Sequence, residues 1–140
     1  MRRALELAAR GRTSPNPMVG AVVVKQGKVV GEGYHSRAGY PHAEVEALRQ
    51  AGNKARSADL YVNLEPCCHF GRTPPCTDAI IQAGIKRVFV GMKDPNKQVS
   101  GKGLRALKAQ GIVIVSGILK KECMKLNESF VKVMQTGMPF

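Results

Sequence analysis

Two β-branched runs, residues 19–25 and 28–34, stand on either side of Gln26-Gly27. A two-residue spacer with glycine in it closes a tight antiparallel hairpin. Downstream the pattern changes to alternation. Strand-like segments at 59–64, 87–92 and 112–115 are separated by helix-like segments at 42–50, 76–83, 103–110 and 120–134. Strands that alternate with helices are joined by crossovers, which favour parallel pairing under a helical cover. The expected fold is therefore α/β, a three-layer α/β/α domain around a mixed, largely parallel five-stranded sheet begun by the hairpin. A helix over residues 1–10, ended by Gly11, precedes it, and Pro15 and Pro17 around Asn16 impose an extended turn.

The chain has 140 residues, 44% of them hydrophobic, which suits one globular domain. Residues 1–136 are read as that domain and 137–140 as a departing tail. The longest apolar stretch, near Val19–Val24, falls far short of the ~20 residues of a membrane span, and no basic-then-apolar leader precedes it. A soluble, cytoplasmic protein with no membrane partner is expected. The formal net charge of +12 and pI near 10.0 favour anionic ligands. The lysines and arginines are scattered, and three Tyr and four Phe leave few rings for stacking bases. A phosphorylated small molecule fits this distribution better than nucleic acid does.

Four cysteines are present, three of them, Cys67, Cys68 and Cys76, within ten residues. In a chain without an export signal such clustering favours a metal or catalytic site over a disulfide scaffold. Zinc with an open catalytic position takes three protein donors, and His42, Cys67 and Cys76 supply them. Cys68 is the competing donor to Cys67, whereas Cys123, on an apolar helix position, reads as a small buried hydrophobe. Glu44 follows His42 by two residues at the start of a helix. Zinc lowers the pKa of its water from 15.7 to roughly 7, and a carboxylate beside it can move a proton from that water to a departing amine. That division of labour is hydrolytic deamination.

His42-Ala43-Glu44 followed by Pro66-Cys67 and a later cysteine resembles the signature of the zinc-dependent nucleobase deaminases. The wide Cys67-to-Cys76 segment, with Asn16-Pro17-Met18-Val19-Gly20 and Lys93-Asp94-Pro95-Asn96, is similar to the deaminase domain of the bifunctional riboflavin-biosynthesis deaminase/reductase family. The resemblance covers nearly the whole chain. It implies a cytidine deaminase-like fold, a Zn2+ cofactor on His42, Cys67 and Cys76, and Glu44 as proton shuttle. It further implies substrate contacts at Asn16, His35, His69 and Arg72. The implied reaction replaces the 2-amino group of 2,5-diamino-6-(5-phosphoribosylamino)pyrimidin-4-one by oxygen. The same resemblance implies a homo-oligomer and an NADPH-dependent reductase domain, to which residues 137–140 would be the start of a linker.

Two other readings share the zinc motif. One is deamination of a base in RNA, or of a free nucleoside, which the positive charge permits and the long inter-cysteine segment disfavours. The other is a structural-zinc interaction module, in which Cys68 or His69 would complete a four-donor site.

Overall fold

The computed structural model describes residues 1–13, 16–69 and 74–136, without the Thr136 side chain. Strands β1 (Gly20–Lys25) and β2 (Lys28–Tyr34) form the expected hairpin. It turns through Gln26 and Gly27 at φ 52° and 76°, and two successive left-handed residues match the right-handed twist of the strands they join. Strands β3 (Asp59–Leu64), β4 (Arg87–Met92) and β5 (Val113–Ser116) complete a sheet of order β2-β1-β3-β4-β5. β1 pairs antiparallel with both β2 and β3, whereas β3–β4 and β4–β5 are parallel. The sheet is thus mixed as expected, but half antiparallel instead of largely parallel, because the hairpin joins it through β1.

One face of the sheet presents Val23, Leu60, Val62, Val88 and Val90 to α2 (Ala43–Ala51), α3 (Cys76–Ala83) and α4 (Lys102–Ala109), which answer with Ala47, Ile80 and Leu107. All eight of these side chains are completely buried, each Val, Leu or Ile worth roughly 1.5–3 kcal/mol relative to exposure. On the other face α1 (Arg2–Ala8) lays Ala4 and Leu7 on Val22. Further along that face, Cys123 of α5 (Lys120–Leu126) and Val131 of α6 (Glu128–Thr136) pack with Leu64 and Met92. The three layers are those expected, and Cys123 is a buried hydrophobe.

α2 lies unusually close to β2. A Cβ on Gly31 would sit 2.2 Å from the Ala47 carbonyl oxygen, and one on Gly33 would sit 2.5 Å from that of Ala43. Glycines in the strand and alanines in the helix therefore bring the start of α2 down onto the sheet, which fixes the height of His42 and Glu44.

The single helix expected over 120–134 is two. Residue 127 breaks it, with φ −108° and ψ 32° at the end of α5. The side chain of Asn127 is drawn inward to bond Met18, accepting from its N–H and donating to its C=O, both at 2.7 Å.

Candidate active site

The topology gathers the site. β1 runs antiparallel to β2 and β3, so the start of β1, the end of β2 and the C-terminal end of β3 share one edge of the sheet. The segments carrying Asn16, His35 and Cys67 meet there. The helices following β2 and β3 then point their N-termini at the same place, with His42 as the N-cap of α2 and Pro75 as that of α3. His42 has extended backbone angles, φ −69° and ψ 157°, and its ring makes no capping hydrogen bond, which leaves it available as a ligand.

His42 Nδ1 lies 3.1 Å from Cys76 Sγ and 3.9 Å from Cys67 Sγ, and all three donor atoms fall within 4.8 Å of one another. Zn–N and Zn–S bonds of usual length give tetrahedral donor separations of about 3.5–3.8 Å. The observed separations bracket these values, so side-chain shifts of about half an ångström would bring the trio to zinc geometry. Among the described residues Cys68 does not join this group, in keeping with a chain that turns successive side chains apart. The Cys67 sulfur accepts the backbone N–H of Cys76 at 3.3 Å, and the Cys67 carbonyl accepts that of Thr77 at 3.1 Å. These bonds fasten the cysteine-bearing turn to the first turn of α3.

Electrostatics separate the groups. Hydrogen bonding from the Cys76 thiol, and then from His42, pulls Cys67 down to about 4 against its own desolvation. Cys76 is pushed up by the same contact with Cys67 and by burial, and His42 is raised by its bond to Cys67. Glu44, 3% exposed, is pushed up to about 7, chiefly by burial. A carboxyl near half-protonation at neutral pH can both accept and give a proton. His35 is lowered, first by burial and then by the charge of His42.

A cavity of about 280 Å³ opens beside the trio, lined by Asn16, Val19, His35, His42, Glu44, Leu64, Cys67, His69, Asp94 and Phe130 among others. Asn16, His35 and His69 thus reach the same cavity as Glu44, while Arg72 lies outside the described residues. The rings of His35 and His42 stand 5.2 Å apart, and the buried His35 Nε2 has no hydrogen-bond partner among the described residues. Such an atom on a cavity wall is available to a bound molecule.

Sequence reasoning did not assign Asp94, Phe130, Asn63 or Asn127 to this neighbourhood. Asn63 Oδ1 accepts the Gly20 N–H at 2.8 Å and its Nδ2 donates to the Met18 carbonyl at 3.0 Å. With Asn127 this holds Met18 from both sides and sets the wall that ends in Asn16. Thr13 Oγ1 adds contacts of 2.8 and 3.0 Å to the carbonyls of Asn16 and Pro17. Of Asp94, Phe130, Asn63 and Asn127 only Asp94 has a sequence signal, the motif Lys93-Asp94-Pro95-Asn96.

Two thiols and an imidazole gathered at paired helix N-termini, beside a cavity that holds the buried Glu44 carboxyl, make a donor set of the kind zinc-dependent hydrolases use. Comparison with known proteins agrees, since residues 1–92 match the cytidine and deoxycytidylate deaminase zinc-binding region. The chain is 58% identical to the riboflavin biosynthesis protein RibD of Escherichia coli over its whole length, while covering 39% of that protein. It is 52% identical to the diaminohydroxyphosphoribosylamino-pyrimidine deaminase of Buchnera aphidicola, covering 99% of this chain and 96% of that one. The solved structure of Acinetobacter baumannii RibD superposes with a TM-score of 0.97 at 53% identity, over 99% of this chain and 40% of that one. The chain belongs to the zinc-binding cytidine and deoxycytidylate deaminase family, within its riboflavin-biosynthesis deaminase branch. It spans about two fifths of the length of the RibD relatives it matches.

Proposed function

We propose that residues 1–136 form a deaminase domain that hydrolyses the 2-amino group of 2,5-diamino-6-(5-phosphoribosylamino)pyrimidin-4-one. Water enters, ammonia leaves, and the product is 5-amino-6-(5-phosphoribosylamino)uracil. The observation that carries this reading is the buried Glu44 carboxyl on the same cavity as His42 and Cys67. The Buchnera relative, matched over nearly its full length, is named for this activity.

In this reading His42, Cys67 and Cys76 hold zinc, and Glu44 serves the chemistry. Bound zinc supplies a Lewis acid that brings water to a nucleophilic state near neutral pH. Glu44 takes a proton from the attacking water and returns it to the departing amino group, a use matched to a carboxyl at about 7. Phe130, Val19 and Leu64 offer the ring an apolar slot. His35 Nε2, Asn16 and His69 meet its polar edge and ribose, and Arg72 the phosphate, where its planar fork suits the anion's oxygens.

No helix among the described residues is long and apolar enough to cross a membrane. A cytoplasmic site, a homo-oligomer and a covalently following or separate reductase belong to the same reading, the last supported by the greater length of the RibD relatives. An RNA substrate is disfavoured by the small volume of the cavity and by the scattered basic charge. Ammonia release measured beside metal content, on the phosphoribosyl diaminopyrimidine, cytidine and tRNA in parallel, tests the assignment. Turnover of the first alone is expected, and turnover of tRNA alone would overturn it.

A further inference from the structure

Glu65 has no part in the chemistry above, yet its carboxylate is 6% exposed and receives four backbone amides. Oε1 accepts the N–H of Asp94 at 2.9 Å and of Gly101 at 3.0 Å. Oε2 accepts those of Gly103 at 3.0 Å and Leu104 at 3.4 Å. The main-chain N–H of Glu65 meanwhile donates to Met92 O at 2.9 Å, extending the β3–β4 pairing by one residue. One side chain thus caps the first turn of α4 from a distance and anchors the start of the segment that carries Asp94.

The arrangement is specific. The N-cap of α4 is Gly101, which has no side chain to cap with, so the helix's orphan amides depend on a donated carboxylate. A carboxylate also suits the positive end of a helix. Gly103 is pressed against the cysteine turn, where a Cβ would sit 2.1 Å from the Pro66 carbonyl oxygen. Glu65 is two residues before Cys67, and both it and Asp94 line the cavity. The two walls that carry Cys67 and Asp94 are therefore joined through one buried carboxylate.

We propose that Glu65 is a positioning residue: it locks the Asp94–Leu104 segment to the cysteine-bearing turn, so that Cys67 is held in place for metal and Asp94 in place for substrate. The role in zinc retention follows from the contacts alone, whereas the role in substrate binding rests on the deaminase reading. Residues that orient a metal ligand commonly change metal affinity by 10–100-fold when replaced.

Glu65→Gln tests this, since it preserves volume but offers an N–H₂ where two amides need an acceptor. Leu107→Val, a core change in α4 remote from the carboxylate, serves as the stability-matched control. Both are compared with the unchanged protein at a temperature where all are folded. Zinc affinity is read by chelator competition, hydrogen exchange by amide, and KM separately from kcat. Glu65→Gln should weaken zinc about tenfold or more, raise KM by a similar factor, and speed exchange at Asp94, Gly101 and Gly103. Leu107→Val should leave zinc affinity and KM within about twofold. Unchanged zinc affinity in Glu65→Gln, or the same losses in Leu107→Val, would overturn the proposal. If Glu65→Gln does not fold, exchange in the unchanged protein decides: Asp94, Gly101 and Gly103 must exchange far more slowly than the loop amide of Lys97, and equal rates reject the role. Should the unchanged protein release no ammonia, the deaminase reading fails while the zinc and exchange measurements still judge Glu65.

Discussion

The backbone N–H of Cys76 donates to the sulfur of Cys67 at 3.3 Å, across the segment that separates the two thiols in sequence. A sulfur that accepts an amide is stabilised as thiolate, and the same bond fastens the turn that carries it to α3. Cys68, one residue on, is outside that arrangement.

Serine in place of Cys67 or Cys76 should therefore reduce bound zinc to roughly a tenth or less of one per chain, while Cys68→Ser keeps close to full occupancy and turnover. Plasma emission on the purified variants, with ammonia release on the same samples, reads the difference. Loss of zinc in Cys68→Ser would move the ligand to its neighbour.

Glu44→Gln should keep its zinc and lose on the order of 10²–10⁴-fold in ammonia release. It should also expose a pH effect in the metal-free protein. The folded-state pKa of Glu44, about 7, is above its unfolded value of 4.5, so the folded state holds a proton that the unfolded state has already shed. Relative to Glu44→Gln, the unchanged protein should lose stability as pH rises from about 4.5 to 7, by up to about 3 kcal/mol. Cys67, depressed to about 4, acts in the opposite sense: its contribution weakens as pH falls from its unfolded value. The comparison must therefore be made between the two proteins at each pH, by chemical denaturation.

His35→Phe separates binding from folding. Its Nε2 has no hydrogen-bond partner among the described residues, whereas the ring does bond the backbone of Arg37 and Tyr40, so replacing it by an apolar ring of similar shape should cost no more than about 1–3 kcal/mol. If the same nitrogen receives a substrate bond, KM should rise about tenfold, the scale of one lost hydrogen bond. A folded variant with an unchanged KM would remove His35 from the substrate contacts.

Asn127→Ala strips Met18 of a donor and an acceptor. The cost should be about 1–3 kcal/mol in stability, with KM rising more than kcat falls, because Asn16 is on the wall that Met18 anchors. Denaturant midpoints and steady-state kinetics on one preparation measure both.

The hairpin, the strand-helix alternation and the set His42, Glu44, Cys67 and Cys76 were legible in the sequence because each is written locally, in β-branched runs or in short spacings. The break at residue 127 was not, since the helical pattern continues through it and the cause is a bond to Met18, 109 residues away. Asn63 and Glu65 escaped for the same reason. Each reads as a polar residue at a strand end, and its partners are backbone amides that only the tertiary fold supplies. Asp94 and Phe130 reach the cavity through the topology of the sheet, which neither periodicity nor spacing encodes.

His42 follows the hairpin, whereas Cys76 opens a helix 34 residues later, and β3 must insert beside β1 before the two can approach to 3.1 Å. The native topology is consequently what preorganises the donors for metal, and the ion is a seal placed on a finished arrangement. An unfolded or misthreaded molecule must close loops of 25 and 9 residues to collect the donors, so the ion, once held, favours the correct strand order. It also closes a long loop that an unfolded chain would have to reopen against the metal's affinity, which makes zinc as much a guardian of the native state as an agent of turnover.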